Sequence, residues 1–359
     1  MPACSWSPLR YSLHRNRMAQ IAEPRPTNVM PALPDVAEFP SHPPTWYLFC
    51  RSDDLRAKPI SKTIMQRRLV AYRTAAGEVS VLDANCAHLG ADLGRGSIVG
   101  DAIQCPFHHW RYASSGRCVA TAQHSQALPS ASLRSYPVVE RHGYVFFFFG
   151  PRYWFPLPFF ADCDPADFVA SSPFRFEMDC PWYMLVANGF DTQHFHAVHD
   201  RKLKGTPQVD CPASMARRMR FDADVTGSSI FDRLLKRFVG REVQISITSW
   251  GGPHVLVEGV FGKAHSRILV ASQPLDENHT LSEVIVFAKR SHGSLKAVTV
   301  DRLNLRVRRR FTQAFMQYDI DKLAGVRYQP EGLTPQDRDM IDFFQWLTTL
   351  PRSEYEAER

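Results

Sequence analysis

Apolar and polar residues alternate in two different ways along the chain. From Thr45 to about residue 150, short runs rich in aromatic and β-branched residues are separated by turns, as in WYLFC, RLVAYR, VSVLDA and YPVVERHGYVFFFFG. Strands at this spacing predict a small antiparallel β domain. The stretch PRYWFPLPFF, which begins at Pro151, combines prolines with bulky aromatic residues. We therefore expect a packed connector to a second region rather than a flexible linker.

Beyond the connector, helical and extended patterns are mixed. Helical periodicity predicts helices over residues 183–198, 230–239, 301–326 and 335–350. Alternation typical of an antiparallel sheet covers residues 243–250, 255–260, 266–271 and 281–287. The predicted fold class is α+β, with a curved antiparallel sheet around a long helix in the second half. Such an arrangement encloses a deep apolar pocket.

Residues 1–40 show neither period and contain seven prolines, which predicts a loose N-terminal arm. The first 22 residues include three arginines and no acid, a faint likeness to a transit peptide, but they lack the apolar core of a secretory signal. Met18 is an equally good natural start. We therefore expect an arm over residues 1–40, a β domain over 41–150 and a second domain over 151–359.

Length and composition are typical of a folded protein with two domains. The 359 residues are enough for two separate cores, and 44% hydrophobic with 22% charged residues argues against extensive disorder. Eight cysteines are scattered without a pairing pattern, which indicates thiols in a reducing cytoplasm rather than a disulfide framework. The longest apolar runs, residues 144–149 and 154–160, are far shorter than the ~20 residues of a membrane span.

The chain is basic, with a net charge of +7 and a pI near 9.0. No basic run is interleaved with aromatic residues in the manner of a nucleic-acid groove, so we expect no nucleic-acid partner. The densest basic cluster, residues 306–310, lies in a helical pattern and is most simply a solvated helix face.

Residues 85–117 carry the strongest chemical signal. Cys86 and His88 are separated by one residue, and sixteen residues later follow Cys105 and His108, separated by two. Two thiolates on one iron and two imidazoles on the other can hold a [2Fe-2S] cluster of the Rieske type. The same four residues could hold zinc. Glycines after the first pair favour the cluster, because they let backbone amides approach its sulfur atoms.

The second ligand loop, QCPFHHWRY, resembles that of the Rieske non-haem iron oxygenases, the α subunits of ring-hydroxylating oxygenases. The similarity extends over about residues 45–350. It implies a second metal centre, a mononuclear Fe(II), in the second domain. The family's pattern of Asp, two residues, His, four residues and His is matched at Asp191, His194 and His199.

Two histidines and one carboxylate on one face of Fe(II) leave positions open for O2 and substrate. His194 and His199 are five residues apart, so an ideal helix would separate them by about 140° and must bend or open there. His196, three residues before His199, would share its face more easily and is a competing ligand. The family pattern favours His194.

The third iron ligand must come from elsewhere, and the segment FTQAFMQYDIDKLAG offers Asp319 and Asp321. In a helix, Asp319 neighbours Phe315, Met316 and other apolar residues, and a buried carboxylate needs a partner such as a metal. Asp321 neighbours more polar positions. We expect Asp319 to bind the iron and Asp321 to form a cap or a salt bridge.

The resemblance also implies that Asp191 joins His108 of one chain to His194 of another, in a head-to-tail ring that is usually a homotrimer. The implied function is a terminal mono- or dioxygenase component that hydroxylates or N-oxygenates a bulky, mostly apolar aromatic, steroid-like or natural-product molecule. O2 is the co-substrate, and NAD(P)H supplies electrons through a separate reductase or ferredoxin, whose docking a basic surface could steer.

Two alternatives remain at this point. Desaturation or oxidative demethylation could occur at the same iron. A pure electron carrier would use the cluster alone, but it leaves the second iron motif without a role.

Overall fold

The structure is a computed structural model that describes residues 31–56, 58–121, 128–262, 264–291 and 295–355. The first 30 residues, with Met18 and most of the predicted arm, lie outside this part. The described chain has the predicted α+β class, with a β domain followed by a second domain that contains a large antiparallel sheet.

The first domain is built from antiparallel strands, as predicted. The strands described in it are β1 (Trp46–Arg51), β2 (Ile60–Ile64), β3 (Arg67–Arg73), β4 (Val79–Asp83), β5 (Ser97–Val99), β6 (Ala102–Gln104), β7 (Arg111–Tyr112), β8 (Arg117–Ala120), β9 (Leu128–Ser132), β10 (Ser135–Tyr136), β11 (Val138–Arg141) and β12 (Tyr144–Phe148). They form three sheets with the orders β1-β12-β11, β10-β4-β3-β2 and β5-β6-β7-β8-β9.

Strand β12 separates two hydrophobic cores. Successive side chains of a strand point to opposite faces. Phe146 and Phe148 pack into the core of the second domain, whereas Val145 and Phe147 pack into a core of the first. All four residues are buried. Because both faces of the strand are covered, it appears in the sequence as an unbroken apolar run rather than an alternating one.

Residues 151–160 connect the domains without regular secondary structure. Phe155, Leu157 and Phe160 are buried. The indole N–H of Trp46 donates to the Phe155 carbonyl at 2.9 Å, and Arg141 donates to the Leu157 carbonyl at 2.9 Å. The connector is therefore packed, as its prolines and aromatic residues predicted.

The strands described in the second domain are β13 (Phe168–Ala170), β14 (Phe174–Met178), β15 (Arg201–Ala213), β16 (Ala216–Val225), β17 (Glu242–Trp250), β18 (His254–Phe261), β19 (Ala264–Pro274) and β20 (Thr280–Lys289). Their order is β13-β20-β19-β18-β17-β16-β15, with β14 also paired to β20. The sequence pattern predicted β17 to β20 and missed the hairpin of β15 and β16. Strand β15 is largely exposed and contains Gly205 and Pro207, so no apolar alternation marks it.

The α-helices in the described part of the chain are α1 (Trp182–Ala187), α2 (Thr192–Ala197), α3 (Ile230–Phe238), α4 (Leu295–Leu323) and α5 (Arg338–Thr348). The prediction of one continuous helix over residues 183–198 was wrong. A 3-10 turn, Asn188–Phe190, and the extended residue Asp191 separate α1 from α2. The long helix α4 packs against β14 and β20. None of the helices in the described ranges is long and apolar enough to cross a membrane.

Residues 31–40 correct the prediction of a loose arm, because they pack against the second domain. Phe39 is 4% exposed, and its ring contacts Tyr183, Tyr328 and Phe344. The Tyr328 hydroxyl donates to the Pro34 carbonyl at 2.9 Å. One aromatic anchor therefore holds a segment whose prolines restrict its backbone in any case.

Candidate active site

Two loops of the first domain carry the predicted cluster ligands. Cys86 and His88 lie between β4 and β5, and Cys105 and His108 lie between β6 and β7. Both cysteines are buried, whereas His88 is exposed and His108 is half-buried. The two imidazole rings have their centroids 4.7 Å apart. The structure thus brings both ligand pairs together, with the thiols on the inside and the imidazoles toward the surface.

Backbone N–H groups approach the sulfur of Cys105. Burial raises the pKa of the Cys105 thiol, and the nearby Cys86 thiol adds to this shift. The backbone N–H groups of Phe107 and His108 donate toward the sulfur and oppose it. N–H donors of this kind also stabilise sulfur bound to iron. The donor set of two thiols and two imidazoles therefore fits a [2Fe-2S] cluster.

Two aromatic residues support the ligand loops. The Tyr112 hydroxyl lies 3.1 Å from Cys86 Sγ and accepts from the Ala87 N–H at 3.1 Å. Trp110 stacks on His88 with ring centroids 4.5 Å apart and an interplanar angle of 3°. Tyr112 was not predicted from the sequence. Its position at the end of HHWRY, two residues after Trp110, was the sequence feature that indicated a place beside the ligand loop.

The second domain brings His194, His199 and Asp319 together. Asp319 Oδ1 lies 2.9 Å from His199 Nε2 and 3.8 Å from His194 Nε2. One ligand atom from each residue lies within 4.8 Å of the others. Both histidines are buried, and the Asp319 side chain is 15% exposed. Two imidazoles and one carboxylate in this arrangement fit a mononuclear Fe(II).

The end of α2 explains how His194 and His199 face the same point. The helix ends at Ala197, so His199 lies beyond it. The angle of about 140° that an ideal helix would impose between His194 and His199 therefore does not apply. The following residue, Asp200, has a φ of 52°, which turns the chain into β15. His196 is exposed and lies in a separate shallow depression. The structure therefore does not bring His196 to the other two ligands.

Asp191 orients His194 through its backbone. The Asp191 carbonyl can only accept, so His194 Nδ1, 2.7 Å away, carries the proton and leaves Nε2 free for a metal. The Asp191 carboxylate instead caps α2, where it accepts from the N–H groups of Gln193 at 2.8 Å and His194 at 3.3 Å. The expected contact between the Asp191 carboxylate and the His194 ring is therefore replaced by a carbonyl contact.

Asn188 is a site residue that the sequence did not reveal. Its amide donates to Asp319 Oδ1 at 3.3 Å. Asn188 lies three residues before Asp191, so the sequence could have placed it near the iron motif. Nothing in the neighbouring sequence indicated that its partner is Asp319 on α4. Asp321, the rejected ligand candidate, is exposed and accepts from the Gln317 amide at 2.8 Å.

The protonation state of His194 also suits a metal ligand. Burial lowers the pKa of His194, while the nearby Asp319 carboxylate acts in the opposite direction. The imidazole is therefore neutral at physiological pH, which is the form that binds a metal.

A cavity of about 680 Å³ opens beside these three residues, between the sheet, α3 and α4. Three charged groups in its wall are neutralised within the protein: Arg201 and Asp232 pair with each other at 2.9 Å, and Glu258 pairs with Arg267 at 2.6 Å. The remaining wall is largely apolar and includes Val243, Ile247, Val255, Val257, Ile268 and Val270. The cavity can therefore hold a bulky apolar molecule next to the three ligand residues.

Comparisons with known proteins agree with this geometry. Residues 45–137 match the Rieske [2Fe-2S] domain model. Over 281 residues, the chain is 31% identical to aminopyrrolnitrin oxygenase PrnD of Pseudomonas fluorescens, covering 71% of this chain and 77% of that protein. The chain belongs to the Rieske non-haem iron oxygenases. It is a terminal oxygenase component, and the interpretation as a pure electron carrier is not favoured.

Two further relatives match over shorter segments. The oxygenase component of 3-ketosteroid-9-alpha-monooxygenase of Rhodococcus rhodochrous is 38% identical over 101 residues, which cover 28% of this chain and 26% of that protein. Cholesterol 7-desaturase nvd of Bombyx mori is 31% identical over 169 residues, which cover 46% and 37%. The match over most of the chain is to an oxygenase, so oxygenation is favoured over desaturation.

Solved structures share the fold of both domains. NdmA of Pseudomonas putida CBB5 with caffeine gives a TM-score of 0.62 at 18% identity, covering 84% of this chain and 89% of that one. Dicamba monooxygenase bound to dicamba gives 0.55 at 20% identity, covering 88% and 98%. A Rieske β domain followed by a large antiparallel sheet domain is therefore the architecture of this protein.

Proposed function

We propose that this oxygenase hydroxylates or N-oxygenates a bulky, mostly apolar small molecule. The cavity of about 680 Å³ carries this proposal, because its wall is largely apolar and includes His194, His199 and Asp319. The relatives named for aminopyrrolnitrin and for a 3-ketosteroid support a natural product or a steroid-like molecule as the substrate.

In this proposal, the protein holds two metal centres in separate domains. Two thiols and two imidazoles hold the [2Fe-2S] cluster, and two imidazoles and a carboxylate hold the mononuclear Fe(II): Cys86, His88, Cys105 and His108, and His194, His199 and Asp319. When bound, the cluster supplies single electrons and the iron activates O2, the co-substrate. Asn188 holds the Asp319 carboxylate in position, and the apolar wall excludes water from the reacting molecule.

The proposed assembly is a homotrimer in the cytoplasm, fed from NAD(P)H by a separate reductase or ferredoxin. The half-buried Asp191 carboxylate has acceptor capacity beyond its cap, so it can bind His108 of the partner subunit in a head-to-tail ring. Within the same chain, the His194 ring donates to the Asp191 carbonyl. The seven cysteines of the described part are free thiols, which is compatible with a reducing compartment. The particle mass in solution tests the ring.

Asp319→Ala tests the proposed iron site. The variant should lose the mononuclear iron, because only two neutral imidazoles remain, and iron per chain should fall from about three to about two. The visible spectrum of the cluster should persist, since its ligands lie in the other domain. The matched control is Asp321→Ala, which removes an exposed carboxylate two residues away. Iron loss in the control, with retention in Asp319→Ala, would show that the wrong carboxylate was chosen.

Product analysis tests the reaction itself. The reduced protein is incubated with isotope-labelled O2 and a panel of steroids and arylamines, and products are examined by mass spectrometry. We expect a product that gains a labelled oxygen atom. A product that only loses two hydrogen atoms, or a methyl group, would contradict the proposal and assign desaturation or demethylation.

A further inference from the structure

Exposed apolar residues are concentrated around the opening of the cavity. Of fifteen large hydrophobic residues that are exposed in the described part of the chain, nine lie on α3 and α4. Six of the nine also line the cavity, so a bound substrate would cover them at least in part. The other three, Ile230, Val300 and Leu303, do not line it and are 62%, 56% and 62% exposed. A ligand inside the cavity leaves these three in contact with water.

Basic residues accompany this apolar surface in a regular pattern. On both helices, apolar residues recur every four positions, and five of them follow an exposed arginine: Arg233 and Leu234, Arg237 and Phe238 on α3, and Arg302 and Leu303, Arg306 and Val307, Arg310 and Phe311 on α4. Four positions advance a helix by only about 40°, so each helix presents an apolar row beside a basic row.

The exposed charge beside the apolar rows is positive. Among the described residues, none of the five arginines forms an ion pair. The acidic residues of the stretches 230–238 and 300–311 are buried: Asp232 pairs with Arg201 at 2.9 Å, and Asp301 accepts from the Ser291 hydroxyl at 2.6 Å. No acidic residue of these two stretches therefore neutralises the arginines.

We propose that this entrance surface, defined as Ile230 and the two rows of α3 with Val300 and the two rows of α4, binds an anionic lipid bilayer. The apolar side chains enter the boundary between headgroups and acyl chains, and the arginines pair with lipid phosphates. The substrate then passes from the lipid directly into the cavity. The identity of the substrate rests on the proposed function, whereas the binding to lipid does not.

A bilayer fits this surface better than a protein partner does. An acidic electron carrier seated on these rows would cover the opening through which the substrate enters. A second copy of the chain would cover the same opening and would bring two sets of unpaired arginines together. A fluid lipid surface offers acyl chains to the apolar rows and phosphates to the basic rows. It also supplies the apolar substrate at the place where the cavity opens.

Vesicle sedimentation with the full-length, iron-loaded protein tests the proposal. We expect binding to phosphatidylcholine vesicles that contain phosphatidylglycerol, with little binding to pure phosphatidylcholine and weaker binding at high salt. Reversing two charges in Arg302→Glu/Arg306→Glu should weaken binding by at least about tenfold. Leu303→Asn should also weaken vesicle binding. Because Leu303 does not line the cavity, this loss would come from the surface itself.

The control variants carry the same changes elsewhere on the surface. Arg56→Glu/Arg152→Glu reverses two charges whose side chains are 77% and 79% exposed, and Val36→Asn replaces a residue that is 50% exposed. These variants should bind vesicles like the unaltered protein, and an unchanged cluster spectrum shows that each variant is folded.

Several results would overturn the proposal. The first is that the unaltered protein does not bind the anionic vesicles. The second is that Arg56→Glu/Arg152→Glu weakens vesicle binding as much as Arg302→Glu/Arg306→Glu does. A loss of reductase-driven cluster reduction by Arg302→Glu/Arg306→Glu, with vesicle binding intact, would assign the surface to the electron carrier. A change of particle mass in the same variant, again with vesicle binding intact, would assign it to a second copy. Because sedimentation needs no turnover, its outcome is independent of whether the proposed reaction is correct.

Discussion

The Nδ1–H of His194 donates to the Asp191 carbonyl, while the Asp191 carboxylate caps α2. One residue thus performs two tasks with different groups: its backbone orients His194, and its side chain stabilises a helix of six residues. Only the side chain is available to a partner subunit. A substitution that changes the carboxylate therefore separates electron transfer from iron binding.

Asp191→Asn should keep both metal centres and the fold, because asparagine is an equally good N-cap and the carbonyl is unchanged. Reoxidation of a reduced cluster after addition of substrate and O2 should slow by about 10–100-fold, since the carboxylate charge that would bind His108 of the partner subunit is lost. Asp191→Ala should show the same slowing and also lose about 1 kcal/mol of stability with the cap. Loss of the mononuclear iron would instead identify Asp191 as a ligand, and an unchanged rate would exclude the bridge.

Arg201 connects the elements that surround the cavity. It stands at the start of β15, where its guanidinium donates to the His199 carbonyl at 2.7 Å and to Asp232 of α3 at 2.9 Å. It also lies over the ring of Phe315 on α4, 5.7 Å from the centroid. The Arg201 and Asp232 side chains are 7% and 12% exposed. Arg201 therefore ties α3 and α4 to the turn that carries His199.

Asp232→Asn should lower the free energy of unfolding by about 3 kcal/mol, because it leaves the Arg201 charge buried without its counter-charge. Because Arg201 also holds the His199 carbonyl, the variant should lose mononuclear iron more readily than cluster iron. Calorimetry and metal analysis measure the two effects. Lys204→Met, which breaks exposed pairs with Asp224 and Glu242, is the control and should leave stability nearly unchanged. Equal effects of the two variants would contradict the role of the buried pair.

At the scale of the whole molecule, the sheet β1-β12-β11 lies between the cores of the two domains and packs against both. His254 of β18 lies at this junction, 1% exposed, with Nδ1 donating to the Trp46 carbonyl of β1 at 3.2 Å. Burial lowers the pKa of His254 from 6.5 to about 4. The junction is therefore built around a neutral imidazole, and its protonation opposes the folded state.

This pKa shift predicts acid sensitivity of the junction. Because the folded pKa is below the unfolded one, the unfolded chain binds the proton first, so the stabilisation is present above pH 6.5 and is lost as the pH falls toward 4. The loss for one group is about 3 kcal/mol. His254→Gln should flatten the dependence of thermal stability on pH in this window. An unchanged pH dependence in His254→Gln would contradict the assignment.

The sequence by itself determined the features that depend on short spacing. Cys86 with His88, and Asp191 with His194, lie within a few residues of each other, so the loop or helix that carries them places them together. Likewise, the strands β17 to β20 were predictable because each buries alternate side chains against one core. The family and the α+β class follow from these local patterns.

Only the tertiary structure decided what depends on distant segments. The Asp319 carboxylate meets His199 across 120 positions of sequence, and the Asn188 amide meets Asp319 across 131. Strand β15 has no apolar alternation and exists because β16 pairs with it. The break before α2 is stabilised by the Asp191 cap, and the chain leaves the helix after Ala197 so that His199 can face Asp319. Such contacts depend on packing free energy shared by many residues, and no local period in the sequence encodes them.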